Sequence, residues 1–206
     1  MKVEIIKNAA DLESVTPFHV DKLLWGTKSI PKTYGYIGFV PGDAFYLKMI
    51  CEESEPLCTY THDMDPVYRD SAMEAFFQFE ADIERLQAIY LNFETNSCGA
   101  LLAGYGKERI YRSYFTKEMC GALQSTAKVE KDFWTWNLKI PVSILEEIYG
   151  PLHLGEGSTF TCNFYKISET KEVEHYASYS PILSKIPSFH LTEFFETAVI
   201  ERANKS

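Results

Sequence analysis

Short apolar segments rich in aromatic and β-branched residues recur along the chain between clusters of turn-forming residues. This pattern limits the possible folds more than any other feature, because such side chains favour strands and evenly spaced short strands are typical of sandwiches and barrels. We predict an all-β domain, an antiparallel β-sandwich of immunoglobulin-like or jelly-roll-like type with one or two short helices. The predicted strands span residues 34–40, 45–51, 73–79, 89–96, 100–105, 109–115, 124–131, 133–140, 159–166, 176–181 and 197–202.

One of these strands carries two tryptophans in strict alternation with polar residues. Trp134 and Trp136 fall on one face, as a half-buried strand requires, so both are predicted to lie in the core. A short helix is expected at 141–149, with proline in its first turn and Gly150 as its stop. A further helical turn is expected at 81–87. We predict one domain over residues 1–206, with residues 1–32 as an irregular segment packed on it.

The charge balance limits the partners. Lys and Arg number 20 against 29 Asp and Glu, a formal net charge of −9, so no basic face for phosphate contacts is expected. No run of 18 consecutive apolar residues occurs, and the first residues lack the apolar core of a signal peptide. Neither nucleic acid nor membrane is an expected partner, and the oligomeric state stays open.

The five cysteines bear on the compartment. Their number is odd, they form no C-x-x-C pair, and most lie within apolar segments. That usage suits buried free thiols in a reducing environment, so the sequence predicts a cytoplasmic protein.

An acidic and aromatic loop precedes the strand at 73–79. Asp63, Asp65 and Asp70 offer enough oxygen ligands for a calcium ion, although the loop lacks the glycine and glutamate positions of an EF-hand. A solvated turn is the competing interpretation. No cofactor is required by the sequence, and structural calcium is kept as an alternative.

Carboxylates also fall within two predicted strands. Glu74 shares a strand face with Phe76, so its carboxyl must be satisfied or functional. On the strand at 89–96, Glu94 and Asn96 extend a polar stripe on one face. The stripe is either a water-facing sheet surface or a set of hydrogen-bonding groups for sugar hydroxyls.

Several enzyme classes lack their sequence signals. There is no G-x-S-x-G, no H-E-x-x-H and no phosphate-binding loop. A haem-binding sandwich would need an axial methionine and histidine, which Met49 or Met64 with His62 or His175 nominally supply.

Four motifs together resemble one known family. They are Asp70-Ser-Ala-Met-Glu74-Ala-Phe-Phe77, Tyr90-Leu-Asn-Phe-Glu94-Thr-Asn96-Ser-Cys-Gly99, Cys162-Asn-Phe-Tyr-Lys166, and Ser178-Tyr-Ser-Pro-Ile182 with Pro187-Ser-Phe-His190. In order and approximate spacing they are similar to the family 9 carbohydrate-binding modules, over residues 40–200. The resemblance implies a DOMON-like β-sandwich, structural calcium in some members, and two aromatic rings that clamp the end of a glucan or xylan chain.

The resemblance also implies particular site residues. The clamp rings would be Tyr68 and Phe189, with His190 beside the second ring. Sugar hydroxyls would be held by the remaining site residues, which are Glu74, Glu94, Asn96, Asn163 and Tyr165.

This chain departs from the family pattern at several of these positions. Tyr68 stands where the xylanase modules carry tryptophan, and Glu94 stands about where they carry an arginine. The spacing from Asp70 to Glu74 is one residue longer, and Glu196 replaces the glycine that usually follows the late F-H segment. A divergent, stand-alone member with a different ligand is therefore expected.

Three functions follow as hypotheses. The first is non-catalytic binding of a sugar or oligosaccharide end, in the context of polysaccharide or glycoside catabolism. The second is a glycoside hydrolase or sugar-modifying enzyme that uses Glu74 with Asp70 or Glu94. The third is a haem-binding or protein-binding module of the DOMON-like type.

Overall fold

The structure, a computed structural model, describes residues 1–79 and 88–203. Its strands are β1 (Lys2–Ile5), β2 (Phe18–His19), β3 (Lys22–Leu23), β4 (Thr33–Val40), β5 (Ala44–Cys51), β6 (Ala72–Gln78), β7 (Tyr90–Asn96), β8 (Leu101–Gly106), β9 (Ser113–Tyr114), β10 (Thr126–Val129), β11 (Trp134–Pro141), β12 (Thr159–Ser168), β13 (His175–Ser178) and β14 (Glu196–Arg202). The helices are α1 (Lys117–Ala122) and α2 (Val142–Tyr149), with short 3-10 turns at Ala9–Ser14, Val67–Arg69 and Thr192–Phe194.

The predicted all-β sandwich is confirmed. Hydrogen bonding joins the strands in the order β10-β11-β5-β4-β1-β14-β12-β6-β7-β8-β9. This sheet folds over so that its two halves face each other, and the rings of Phe45 in β5 and Phe160 in β12 meet at 5.2 Å. The central strand β1 pairs in parallel with both β4 and β14, whereas the other pairings are antiparallel.

The main core fills the space between the two halves. Trp134 and Trp136 are fully buried there, as their alternation in β11 predicts. The opposite face of β6, β7 and β12 carries a second apolar cluster that includes Phe76, Tyr165 and Phe189. The sheet is therefore covered on both sides at these strands, and polar side chains within them lie in an enclosed space.

The helix predicted at 141–149 is also confirmed. Pro141 is its N-cap residue, and Gly150, with φ of 81°, ends it in a backbone conformation that favours glycine. The turn predicted at 81–87 lies outside the described residues. No helix in 1–79 or 88–203 has both the length and the apolar character needed to cross a bilayer.

The structure differs from the sequence-based expectation in three places. The stretch 109–115 forms only the two-residue strand β9, and the rest of it is loop. Residues 117–122 form the helix α1, which begins where the Thr116 side chain accepts a hydrogen bond from the Met119 N–H. Residues before Thr33, expected to be irregular, supply the three short strands β1, β2 and β3.

The expectation that all five cysteines are free thiols is also wrong. Cys58 and Cys98 form a disulfide with their Cα atoms 5.7 Å apart, which joins the loop after β5 to the turn after β7. Cys51, Cys120 and Cys162 remain free. The pairing could not be predicted from the sequence, because forty positions separate the two residues and only the fold brings their loop and turn together.

We expect this disulfide to form in protein that has been exposed to air. A digest without reductant should yield one peptide pair linked through Cys58 and Cys98, which separates when reductant is added. The measurement is mass spectrometry of the two digests. A peptide pair that links Cys58 to another cysteine, such as Cys120, would contradict the pairing of Cys58 with Cys98.

Candidate functional site

A pocket of about 330 Å³ lies on the second face of β6, β7 and β12. Its volume is at the small end of the range for ligand sites, which is about 300–1,000 Å³. Two acidic strand residues and an amide form its floor, and aromatic side chains form its walls. The lining residues used below are Trp25, Tyr68, Glu74, Asn92, Glu94, Arg109, Tyr114, Glu169, Tyr176, Phe189 and His190.

The two floor carboxyls come from neighbouring strands. Glu74 and Glu94 are directly opposite each other in the antiparallel pair β6 and β7, so their Cβ atoms lie about 4.5–5.5 Å apart. Each residue is only 3% exposed. Alternation along both strands directs these side chains away from the main core and into the pocket.

The two carboxyls differ in their partners. Glu94 Oε1 accepts a hydrogen bond of 2.9 Å from Asn92 Nδ2, and Asn92 Oδ1 in turn accepts one of 3.0 Å from Arg112 Nε. The Arg112 guanidinium also lies 4.1 Å from the centre of the Tyr90 ring. Within residues 1–79 and 88–203, no group donates a hydrogen bond to Glu74, and only burial and neighbouring charges act on its carboxyl.

Burial dominates the electrostatics of this pair. Burial raises the pKa of Glu74 well above its usual value, and the neighbouring Glu94 raises it further. Burial likewise raises the pKa of Glu94 to about 7, against the hydrogen bond from Asn92 and the charge of Arg112. Both shifts favour the protonated form, so the pair holds a proton to a higher pH than two separate glutamates would.

The wall residue Trp25 lies in a turn with a rare backbone conformation. Its φ is 48°, and Gly26 follows with φ of 88°. A bulky residue at positive φ costs on the order of 1–3 kcal/mol and persists only where its surroundings impose it. Hydrogen bonds impose it here, because Trp25 Nε1 donates to the Ser184 carbonyl at 2.9 Å and Leu24 N–H donates to the Tyr176 carbonyl at 3.0 Å.

Both predicted clamp residues line the pocket, in different settings. Tyr68 is half-buried on the 3-10 turn Val67–Arg69. Phe189 is only 5% exposed, since it stacks on Tyr165 at 4.1 Å and contacts Trp25 at 5.4 Å between ring centres. Protein rings therefore cover both faces of Phe189, and the half-buried Trp25 is the outer ring of this stack.

His190 lies beside Phe189 and is held by Tyr90. Burial lowers the pKa of His190 to about 3 and raises the pKa of Tyr90 to about 12, so both groups are neutral. The Tyr90 hydroxyl and His190 Nδ1 share a hydrogen bond of 2.9 Å, which holds the imidazole ring in place beside Phe189.

Three other predicted ligand residues lie outside the pocket lining. The Asn163 side chain is fully buried, donates to the Ser180 carbonyl at 3.1 Å and accepts from the Ser180 N–H at 2.9 Å. Asn96 donates to Asp70 Oδ2 at 2.8 Å. Tyr165 is fully buried beneath Phe189 and donates to its carbonyl at 3.2 Å. All three hold the segments that carry pocket residues.

The three aspartates considered for calcium bind backbone instead. Asp63 accepts from the Leu101 N–H at 3.0 Å, Asp65 from the His62 N–H at 3.2 Å, and Asp70 from the Thr59 N–H at 2.8 Å. No group of three or more His, Cys, Asp or Glu side chains suited to a metal ion occurs in the described part of the chain. Each of these aspartates is therefore used in holding the backbone of its loop.

Sequence reasoning missed Trp25, Tyr176, Arg109 and Glu169, which line the pocket from four different loops and strands. The one available signal was the pair Trp25-Gly26, a tryptophan outside any periodic segment followed by a turn residue. Nothing in the sequence placed the others. His175, considered as an axial haem ligand, has both ring nitrogens in hydrogen bonds, one with Lys166 and one with the Val173 carbonyl.

Comparisons with known proteins agree with this description. A protein of Bacteroides uniformis to which carbohydrate binding has been attributed has a similar structure, with a TM-score of 0.81, 23% identity and 98% coverage of both chains. A family 9 carbohydrate-binding module of Caldicellulosiruptor kristjanssonii, solved with glucose, gives a TM-score of 0.60 at 8% identity, over 100% of this chain and 98% of that one. The structure solved with cellotriose gives 0.58 at 7% identity, over 99% and 95%.

At such identities these structures establish the fold alone. No curated protein sequence matches the chain. The profile described as carbohydrate-binding family 9, however, matches residues 4–200, nearly the whole chain. The chain therefore belongs to carbohydrate-binding family 9.

Proposed function

We propose that the pocket binds a single sugar unit, free or at the end of an oligosaccharide, and breaks no bond in it. The observation that carries this proposal is the combination of a polar floor with aromatic walls. Glu74, Asn92 and Glu94 supply carboxyl and amide groups for hydroxyls, while Trp25 and Tyr68 supply rings for the C–H faces of a sugar.

The roles of the remaining predicted residues follow from their contacts. Phe189 supports the Trp25 ring from behind, with Tyr165 beneath it. His190 lines the pocket beside Phe189 and offers a ring nitrogen to a sugar hydroxyl. Asn96 and Asn163 act through the backbone segments that they bind.

The type of sugar is supported by the related modules. The Caldicellulosiruptor kristjanssonii structures contain glucose and cellotriose, so a gluco-configured ring is the first ligand to test. A few hydrogen bonds and stacking contacts in a pocket of about 330 Å³ are expected to give weak binding, of order micromolar to millimolar.

Replacing Trp25 or Tyr68 by alanine is expected to weaken sugar binding at least about tenfold, because each loses a stacking surface. The measurement is titration calorimetry with glucose, xylose and cellotriose. Phe133→Ala is the matched control, since Phe133 is a partly exposed aromatic residue at the turn between β10 and β11, on the other half of the sandwich. Equal affinities for all four proteins would contradict the proposed site.

A glycoside hydrolase remains the second candidate, because of one observation. Glu74 is a buried carboxyl whose pKa is raised by burial, as a general acid requires, and Glu94 lies directly opposite. Asp70 does not serve as the partner in this scheme, since its carboxylate accepts backbone and amide hydrogen bonds. Release of nitrophenol from nitrophenyl glycosides that disappears in Glu74→Gln would favour this candidate over binding alone.

A further inference from the structure

The Glu74 carboxyl faces the pocket and has no hydrogen-bond partner among the described protein groups. The residue is 97% buried (3% exposed), lines the cavity, and receives no hydrogen bond from the described residues. A buried carboxyl without a partner is costly, and an ionised one more so. A ligand group that pairs with it would remove this cost.

The charge of the pocket favours a cation over a neutral group. Three carboxyl residues line it, Glu74 and Glu94 on the floor and Glu169 at the rim, against one basic residue, the exposed Arg109. Arg112 lies behind Asn92, and its guanidinium donates hydrogen bonds to protein groups that include Asn92 Oδ1 and the Tyr90 carbonyl.

The walls of the pocket favour the same charge. Trp25, Tyr68, Tyr114 and Tyr176 all line the cavity. The faces of such rings carry negative potential and attract ammonium groups placed over them, by about 0.5–2 kcal/mol. Aromatic walls over a carboxyl floor therefore suit a ring that is apolar on its faces and positively charged at one substituent.

We propose that the preferred ligand is an amino sugar, whose ammonium group pairs with the carboxyls of Glu74 and Glu94 while its ring lies against Trp25 and Tyr68. This inference rests on the proposed function and specifies its ligand class. A neutral sugar offers only hydroxyls to the same carboxyls. An ammonium group offers three N–H donors and a positive charge, whereas a hydroxyl group offers one donor and no charge. The ammonium is therefore the better partner for two carboxyls.

Binding of the ammonium is coupled to ionisation of the carboxyl pair. The groups that face the pair are Arg109, Glu169, the neutral His190 and, behind Asn92, Arg112. Because burial raises the pKa of both carboxyls, an ammonium that pairs with them should lower those pKa values and release protons on binding. Affinity for an amino sugar should therefore rise between about pH 5 and about pH 7, while affinity for the neutral sugar changes less.

The test is titration calorimetry at neutral pH with glucosamine, glucose and N-acetylglucosamine as probes. We expect glucosamine to bind about tenfold more tightly than glucose, the ratio that one charge-assisted interaction of about 1.4 kcal/mol gives. N-acetylglucosamine, which lacks the charge, should bind no more tightly than glucose. Titrations in two buffers of different ionisation enthalpy should show proton release with glucosamine only.

Variants separate the carboxyl pair from the rest of the site. In the double variant Glu74→Gln, Glu94→Gln the preference for glucosamine should fall to about one, since both amides keep the side-chain shape and lose the charge. Glu147→Gln, at an exposed position on α2, is the matched control and should keep the full preference. Thermal unfolding of each variant verifies that it is folded.

The outcomes are distinguishable. Glucose binding as tight as glucosamine binding would overturn the amino-sugar inference and leave the proposed function standing. Binding of none of the three sugars would overturn both. A glucosamine preference that persists in the double Gln variant would also overturn the inference, because it would place the ammonium away from the carboxyl pair.

Discussion

Near pH 8.5, the Glu94→Gln variant is expected to be more stable than the unmodified protein by about 3 kcal/mol, although it loses a site residue. Burial raises the pKa of Glu94 from 4.5 to about 7 in the folded protein. A carboxyl with a raised pKa contributes its full stability below pH 4.5 and loses that contribution as the pH rises through about 7. Glutamine retains the acceptor for Asn92 and does not ionise, so it avoids the loss.

The measurement is urea unfolding at about pH 4 and about pH 8.5, followed by tryptophan fluorescence. The two proteins should have similar free energies of unfolding at the lower pH and diverge at the higher one. Glu147→Gln is the control for a change of net charge at an exposed position. A stability difference that is the same at both pH values would contradict the description of Glu94 as a buried, partly protonated carboxyl.

The second large effect on stability is expected at Lys166, which is fully buried on the face of β12 opposite the pocket. Its ammonium donates to Ser71 Oγ at 2.8 Å and to His175 Nε2 at 2.9 Å, and it lies 3.9 Å from Glu53 Oε2. Trp134 Nε1 donates to the same oxygen at 3.1 Å. This network connects the two halves of the sandwich at the start of β6, beside the loop that carries Tyr68.

Replacing Lys166 by methionine is expected to lower the free energy of unfolding by about 3–5 kcal/mol, because the Glu53 charge loses its partner in a largely buried position. Burial alone would raise the pKa of Glu53, and the Lys166 charge with the hydrogen bond from Ser71 lowers it below its usual value. Urea unfolding at neutral pH measures the difference.

A double variant tests the cause of that loss. Glu53→Gln combined with Lys166→Met removes both charges and keeps an acceptor for Trp134, so it should recover part of the lost stability. A cost below about 1 kcal/mol for Lys166→Met alone would show that the pair is solvated and that the network does not join the two halves.

The fold was largely predictable because its strands follow local alternation. Trp134 and Trp136 alternate with polar residues, and the faces of β6 follow from Glu74 and Phe76. Alternation is a property of neighbouring residues, so the sequence displays it directly. The helix at Val142–Tyr149 was equally local, since Pro141 and Gly150 mark its ends.

The wrong predictions depend on long-range pairing. Strand β1 is only four residues long and is stabilised by parallel pairing with β14 at the far end of the chain. Nothing in its own residues predicts that pairing. The Cys58–Cys98 disulfide also depends on long-range pairing, because forty positions of the sequence separate its two cysteines.

The floor carboxyls of the pocket and its wall residue Tyr68 could be predicted from the sequence, whereas the wall residue Trp25 could not. Glu74 stood out because its carboxyl shares a strand face with Phe76, and Glu94 stood out because it belongs to a polar stripe on one face of its strand. Trp25 did not stand out, because its position depends on hydrogen bonds to Ser184 and Tyr176, which are distant in sequence. Side chains that come from separate loops converge only in the folded chain.

Indole N–H signals in an NMR titration with glucose and glucosamine test the central claim most directly. The chain has three tryptophans: Trp25 lines the pocket, whereas Trp134 and Trp136 are fully buried in the main core and serve as internal controls. The Trp25→Phe variant assigns the signal. We expect the Trp25 signal alone to shift and to saturate as sugar is added. No shift of the Trp25 signal at high sugar concentration, or equal shifts of all three, would contradict a sugar site against this ring.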